Sequence, residues 1–171
     1  MKIEVYISPP NENDVESYLK CLNDITVHNN TLTIPFPYTE EDAKNFLNFC
    51  EQKNREFNRV MNWAIRKADG ELIGGIGFHG ISAEKIIREE VGYWLAEPYR
   101  GKGILPKILN EVCEIGFMKY NFRRIEAPVF EWNNSSARVL EKCGFQFEGL
   151  LLNYYLKNNL IINCRMYAKI N

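Results

Sequence analysis

The segment from Glu89 to Leu105, EEVGYWLAEPYRGKGIL, constrains the fold more than any other part of the chain. Within it, Val91–Leu95 is typical of a β-strand. After a glycine-rich turn, apolar residues recur at the helical spacing: Ile104, Ile108, Val112 and Ile115. Pro106 lies in the first turn of that helix, where its missing N–H has no intrahelical partner in any case. The segment therefore predicts a strand, a turn and an amphipathic helix in direct succession.

The turn in this segment has the features of a phosphate-binding site. Gly101 and Gly103 remove side chains, so backbone N–H groups can approach a ligand closely. The N-terminus of the following helix carries roughly half a positive charge, and Arg100 and Lys102 add two cations beside it. A GxG before a helix can also be a tight turn without a ligand. The spacing differs from that of a P-loop, which closes with GK[ST].

Composition and charge restrict the classes of protein that the chain can belong to. The 171 residues are 46% apolar and 25% charged with a net charge of −1, so no global field favours nucleic acid or an anionic membrane. We expect one domain over residues 1–171, without a membrane partner, because no apolar run is long enough to span a bilayer. The N-terminal MKIEVYIS is predicted to form a strand rather than a signal peptide. Five scattered cysteines indicate reduced thiols and a cytoplasmic location, and two histidines make a metal site unexpected.

The remaining periodicities predict an α+β domain built around one mixed sheet. The predicted order is strand, two helices, three strands, helix, strand, helix and two strands. We expect Asn13 or Asp14 to cap the first helix and Thr39 to begin the second. Two prolines exclude regular helix near the end of Asn29–Tyr38, and Asn54–Val60 is predicted to be a polar linker. Turns and loops are predicted at Ala68–Gly70, Gly80–Lys85 and Lys157–Asn159.

A GxGxxG pattern at Gly75, Gly77 and Gly80 raises the alternative of a dinucleotide-binding protein. That motif requires a helix to follow it within a βαβ unit. Here the following ISAEKIIREEVGYW predicts a loop and a strand, so we interpret the glycines as part of a strand with bulges. His79 is interpreted as structural or as lining a pocket.

A second motif, NNSSARVLEKCGF from Asn133 to Phe145, follows the glycine-rich turn. Together with GYWLAEPYRGKGI it resembles the GNAT superfamily of acetyl-CoA-dependent N-acetyltransferases. Within that superfamily the chain is most similar to the RimJ/RimL-type branch, whose namesakes acetylate the N-termini of ribosomal proteins. The resemblance covers most of the chain from Trp63 onward and extends weakly to IPFPYTEEDAKNFL in the N-terminal third. It implies a mixed, mostly antiparallel central sheet flanked by helices and splayed between the fourth and fifth strands.

The resemblance also implies a set of coenzyme-binding residues. Trp94 and Leu95 match the strand end whose backbone pairs with the pantetheine arm. Asn133 and Ser136 match a polar pair near the thiol end, and Arg138 on the same helix is a candidate contact for the phosphates. The coenzyme A pyrophosphate would be held by the amides of the turn residues Arg100, Gly101, Lys102, Gly103 and Ile104.

The chemistry implied by the resemblance needs a base for the amine, an oxyanion donor and an acid for the departing thiolate. Glu90 and Glu126 are the candidate bases, and Tyr154, Tyr155 or Ser136 could protonate the thiolate. Each residue has a structural alternative. Glu126 has arginine neighbours and could form an ion pair, and Glu90 could be an exposed or salt-bridged strand residue. Ser136 could cap its helix, and the two tyrosines would point to opposite faces of a strand.

The expected function is transfer of an acetyl group from acetyl-CoA to a primary amine, with a peptide or protein N-terminus as the favoured acceptor. A small-molecule amine is an alternative acceptor, and a non-catalytic acyl-CoA sensor is an alternative function. The N-terminal helices and the loop Thr31–Tyr38 are expected to select the acceptor. Leu105 and Pro106 replace the small residue and threonine common in the family, which leaves their roles open. No metal is expected, and the chain is expected to be a monomer or a homodimer.

Overall fold

The structure, a computed structural model, describes residues 3–80 and 87–171. Its seven strands are β1 Val5–Ser8, β2 Asn62–Lys67, β3 Leu72–Phe78, β4 Arg88–Leu95, β5 Arg124–Phe130, β6 Gln146–Lys157 and β7 Leu160–Ile170. They form one sheet in the order β1-β2-β3-β4-β5-β7-β6. The α-helices are α1 Val15–Leu22, α2 Ile25–Asn30, α3 Glu40–Phe57, α4 Ile104–Glu114 and α5 Asn134–Lys142. The predicted α+β class and the mixed, mostly antiparallel sheet are confirmed.

The chain divides into two compact units that share strand β4. The first unit is Met1–Gly80 with Gly92–Ile104, and the second is Ile81–Val91 with Leu105–Asn171. The first half of β4 therefore belongs to the second unit, and its second half belongs to the first unit.

In the first unit, strands β1, β2 and β3 pair antiparallel in sequence. The core beside them comprises Tyr18, Leu22, Val27, Tyr38, Ala43, Ala64 and Leu72, with Trp94 packed against it. Two glycines of β3 make room for this tryptophan, because a Cβ on Gly75 would lie 2.5 Å from the Trp94 Nε1 atom and one on Gly74 would lie 2.8 Å from its carbonyl oxygen. The GxGxxG residues Gly75 and Gly77 thus lie inside a buried strand, as the strand interpretation predicts.

In the second unit, β4 and β5 form a short parallel ladder that pairs Arg88–Glu90 with Arg124–Glu126. Strand β4 continues to Leu95 and β5 to Phe130 beyond these pairs. The splay predicted between the fourth and fifth strands stays a prediction. Strands β5, β7 and β6 pair antiparallel. The β6–β7 hairpin turns at Asn158 and Asn159, where the sequence predicts a turn, and both residues have positive φ.

Three local predictions need correction, and a fourth cannot be compared with the described residues. Helix α2 was not predicted, so three helices rather than two follow β1. Helix α3 does begin at Thr39 with a capping box, but it continues to Phe57, through much of the predicted linker. Asp14 occupies the N-cap position of α1, yet its side chain makes no capping hydrogen bond. The predicted loop Gly80–Lys85 lies almost entirely outside the described residues.

Candidate active site

The glycine-rich turn has the backbone conformation that a phosphate cradle requires. Gly101 and Gly103 have φ values of +73° and +75°, in the left-handed region that L side chains avoid. A Cβ built on either glycine meets no heavy atom within 4 Å among the described residues. Helix α4 begins directly after the turn at Ile104, which is buried and anchors its first turn. The turn is therefore an open backbone segment at a helix N-terminus, a position that favours anions.

The structure changes what Arg100 contributes to this turn. Its Nε donates a hydrogen bond to the Leu95 carbonyl at 2.9 Å, and a terminal nitrogen contacts the Asp24 carboxylate at 2.5 Å. The Arg100 cation beside the turn thus has a counter-ion within the protein, the Asp24 carboxylate. Lys102 is exposed and lies 5.9 Å from the centre of the Tyr99 ring. No sequence signal links Asp24 to Arg100, because the two are 76 residues apart.

Trp94 and Leu95, at the end of β4, have side chains that belong to the core of the first unit. The Trp94 ring lies 6.0 Å from the Tyr18 ring, and Leu95 is buried. The next residue, Ala96, donates its N–H to the Ile73 carbonyl on β3 at 2.9 Å. Any role for Trp94 and Leu95 in binding a coenzyme would therefore fall to their backbone, as the family resemblance implies.

In the second unit, Asn133 is the N-cap of α5 and accepts a hydrogen bond from the Ser136 N–H at 3.1 Å. Asn133, and not Ser136, is thus the capping side chain. Arg138 is exposed on α5. The helix ends at Gly144, which has the positive φ expected of a C′ residue. The Cys143 thiol near this end donates to the Pro106 carbonyl of α4 at 3.5 Å, which connects the two helices within the unit.

Glu90 and Tyr155 lie in one electrostatic environment of the second unit. Burial, followed by the charge of Glu90, raises the pKa of the Tyr155 phenol well above its ordinary value. The same two causes raise the pKa of the Cys164 thiol to about 11. Tyr155 packs against Phe130 with its ring centroid 6.1 Å away. The charge of Glu90 therefore acts on the buried Tyr155 phenol and on the Cys164 thiol alike.

Tyr154 shares the environment of Tyr155 and Glu90, because burial and then the charge of Glu90 raise the pKa of its phenol as well. Regular strand alternation would put Tyr154 and Tyr155 on opposite faces, but their ring centroids are 4.7 Å apart. An irregularity in β6 between Leu151 and Tyr155 explains this contact. Glu126 is buried and forms ion pairs with Arg88 and Arg124. The ion-pair interpretation of Glu126 is confirmed, which leaves Glu90 as the better candidate base.

A polar depression of about 400 Å³ lies elsewhere in the first unit, around the Arg66 guanidinium. Arg66 donates to both oxygens of the buried Asp14 carboxylate, at 2.6 and 2.7 Å, and to Ser8 and the Gly70 carbonyl. Its hydrogen bonds are thus directed at the protein, and its role there is structural.

Two further features concern metals and membranes. Among residues 3–80 and 87–171, no group of three or more His, Cys, Asp or Glu side chains is placed to hold a metal ion. No helix in the same ranges is both long and apolar enough to cross a bilayer.

Sequence comparison identifies the family. The profile of the acetyltransferase (GNAT) domain matches residues 4–146, a stretch that includes the glycine-rich turn and Asn133. The chain belongs to the GNAT acetyltransferase family. It is 36% identical over 133 residues to the N-acetyltransferase p20 of Bacillus licheniformis, covering 77% of this chain and 74% of p20. It is 37% identical over 111 residues to the N-acetyltransferase YoaA of Bacillus subtilis, covering 64% of this chain and only 62% of YoaA.

Solved structures share the fold over nearly the whole chain. RimL, a ribosomal L7/L12 α-N-protein acetyltransferase in complex with coenzyme A, superposes with a TM-score of 0.85 at 18% identity and covers 97% of this chain and 93% of its own. The spermidine N-acetyltransferase of Vibrio cholerae, in complex with CoA and spermine, gives a TM-score of 0.78 at 19% identity, with 97% and 95% covered. At these identities the likeness is one of fold, and it agrees with the RimJ/RimL-type resemblance.

Proposed function

We propose that this protein is an acetyl-CoA-dependent N-acetyltransferase that acetylates a primary amine, with the N-terminal amine of a peptide or protein as its acceptor. The observation that carries the proposal is the turn Gly101–Gly103. Both glycines adopt left-handed φ values and leave open space at the N-terminus of α4. Family membership supports acetyl-CoA as the group that this turn would hold.

Several segments of the chain would contribute to coenzyme binding. The turn amides from Arg100 to Ile104, with Lys102 as the exposed cation, suit the pyrophosphate. The backbone at Trp94 and Leu95 and the side chains of Asn133, Ser136 and Arg138 are assigned to the rest of the coenzyme on the family resemblance. When bound, acetyl-CoA would supply the activated acetyl group.

Proton transfer is assigned to Glu90 and Tyr155. Glu90 lies at the end of the parallel ladder between β4 and β5, and as a carboxylate it can accept a proton from the amine, directly or through one water. Tyr155 is protonated at neutral pH, as any tyrosine with an ordinary pKa is, and burial and the Glu90 charge raise its pKa further. Its phenol therefore has a proton available to donate to the thiolate.

The acceptor class rests on the branch resemblance. RimL acts on the α-amine of a ribosomal protein, and this supports a peptide or protein N-terminus here. The structure of a spermidine N-acetyltransferase bound to spermine shows that the same fold also serves a polyamine acetyltransferase. Polyamines are therefore the second candidate class of acceptor.

A thiol-release assay with acetyl-CoA tests the proposal directly. The panel would contain peptides beginning with Ala, Ser and Met, together with polyamines, free amino acids and aminoglycosides. We expect release with at least one peptide class. Thiol release with polyamines alone would mean that the acceptor is a polyamine and not a peptide. If no amine in the panel causes thiol release although calorimetry shows binding of acetyl-CoA, a non-catalytic sensor would be favoured.

The roles of Tyr155 and Ser136 can be separated by substitution. We expect Tyr155→Phe to lower kcat by about 10²–10⁴-fold, the usual contribution of general acid catalysis, with little change in acetyl-CoA affinity. Ser136→Ala is expected to keep most of kcat. Single-turnover kinetics with the best acceptor would measure both effects, and the opposite ranking would assign the proton to Ser136.

Asn133 provides a test that separates a structural role from a functional one. Asn133→Ala removes the cap of α5 and should cost about 1 kcal/mol of stability. Asn133→Ser retains a capping oxygen and should restore the melting temperature. If the Asn133 amide also binds the coenzyme, both variants will show weakened acetyl-CoA turnover. Full activity in Asn133→Ser would mean that Asn133 serves only as a cap.

A further inference from the structure

Two adjacent residues of the first unit, Asn23 and Asp24, connect the glycine-rich turn to the loop Thr31–Tyr38. Asp24 contacts Arg100 at 2.5 Å through one carboxylate oxygen. Its other oxygen accepts the Thr26 N–H at 2.7 Å and so caps helix α2. Arg100 in turn donates to the Leu95 carbonyl at 2.9 Å. Arg100, the residue that opens the turn, is thus held by the N-cap of α2 and by the end of β4.

Asn23 holds the other end of this connection. Its side-chain oxygen accepts the Tyr38 N–H at 2.9 Å, and its side-chain nitrogen donates to the Tyr38 carbonyl, also at 2.9 Å. Both backbone groups of the last loop residue are therefore fixed by one side chain. His28 on α2 contacts the Ile34 carbonyl at 2.8 Å, which fixes the middle of the loop to the same helix.

The Asp24–Arg100 contact is charged and half-shielded from solvent. The side chains of Arg100 and Asp24 are 33% and 20% exposed, so solvent weakens the pair less than a fully exposed one. Burial alone would raise the pKa of the Asp24 carboxyl, but hydrogen bonds from Arg100 and the Thr26 N–H outweigh burial and lower it. The pair therefore remains charged at neutral pH.

We propose that Asp24 is a positioning residue for the coenzyme turn, and that the Asn23–Asp24 segment couples occupancy of this turn by acetyl-CoA to the conformation of the loop Thr31–Tyr38. The inference rests on the proposed function, since it takes the turn as the coenzyme site and the loop as the acceptor-selecting segment. A shift of Arg100 on coenzyme binding is transmitted to the loop through Asp24, because the adjacent Asn23 and His28 on α2 make the contacts that hold the loop. If acetyl-CoA changes the affinity for the acceptor in this way, the acceptor must change the affinity for acetyl-CoA by the same factor.

The test uses substitutions that separate the charge of Asp24 from its capping role. Asp24→Asn keeps the oxygen that caps α2 but removes the charge that orients Arg100. We expect about tenfold weaker coenzyme A binding by calorimetry, equivalent to about 1.4 kcal/mol, with a melting temperature close to that of the wild type. Asn23→Ala keeps the Arg100 contact and releases the loop, so its coenzyme A affinity should stay within about twofold of the wild-type value.

Amide hydrogen exchange supplies a readout that a purely structural role would not change. In the wild type, coenzyme A should slow exchange of the amides between Thr31 and Tyr38. This ligand-dependent protection should be lost in both variants, even at saturating coenzyme A. Unchanged affinity and unchanged loop protection in Asp24→Asn would overturn the coupling and leave the proposed function intact. A wild-type protein that binds no coenzyme A would overturn both.

Discussion

Replacing Gly103 with valine is expected to abolish acetyl-CoA binding while the protein still folds. Gly103 has a φ of +75°, a region that a β-branched residue occupies only with strain of about 1–3 kcal/mol. The turn would relieve this strain by rotating its peptide groups, and its N–H groups would no longer converge. The new side chain would also fill the space that a phosphate needs, since a Cβ there meets no other heavy atom within 4 Å in the described part of the chain. Calorimetry with acetyl-CoA should show at least a hundredfold loss of affinity.

Gly70 offers a matched control for this experiment. It has a φ of +92° in the β2–β3 turn, so Gly70→Val imposes comparable backbone strain at a site outside the proposed coenzyme-binding residues. We expect Gly70→Val to lower the melting temperature and to retain acetyl-CoA affinity. If Gly103→Val retained wild-type affinity as well, the turn would not be the coenzyme site. If both variants lost affinity equally, general destabilisation would explain the result.

Removing one charge of the Asp14–Arg66 pair is expected to produce the largest loss of stability. Their side chains are only 4% and 8% exposed, so Asp14→Asn would leave the Arg66 charge buried without a compensating anion. Breaking a buried pair in this way typically costs about 3–5 kcal/mol. For a protein of this size each kcal/mol lowers the melting temperature by roughly 2–4 °C. Urea denaturation and thermal unfolding would measure the loss.

Two further variants make this prediction specific. Glu40→Gln breaks the Glu40–Lys44 pair on α3, whose side chains are 61% and 62% exposed, and should leave the melting temperature almost unchanged. The double replacement Asp14→Leu with Arg66→Met removes both charges and should recover most of the stability lost in Asp14→Asn. An equal loss in Glu40→Gln and Asp14→Asn would show that burial of the pair has no special effect.

Local patterns predicted the elements that local energetics control. The strand, glycine-rich turn and α4 were predicted because Gly101 and Gly103 permit left-handed φ values that few other residues adopt. Thr39 with Asp42 predicted the start of α3, and the structure contains the corresponding capping box. Gly144, which follows α5 and has a positive φ, acts on the end of that helix in the same local way. In each case the residue acts on its immediate neighbours, so the signal lies in the sequence itself.

The local predictions failed where distant or weak contacts decide the structure. Helix α2 has only six residues, too short for a helix to be stable alone, and depends on the Asp24 cap and on burial of Val27. The last turns of α3 are polar, and ion pairs such as Arg55 with Glu51 accompany them in place of an apolar pattern. The contact between the Tyr154 and Tyr155 rings follows from an irregularity in β6, which the strand period does not predict.

The sequence alone determined the family resemblance, the α+β class, the glycine-rich turn and the residues proposed to bind the coenzyme. Tertiary structure decided how several charged side chains are used. It directed Arg100 to Asp24 and Arg66 to Asp14, across 76 and 52 residues of sequence, and Glu126 to Arg88 and Arg124. It also put Glu90 in the electrostatic environment of Tyr155. Such pairings form only when folding brings distant side chains close together and removes them from water. No period or motif in the sequence shows which side chains will become neighbours.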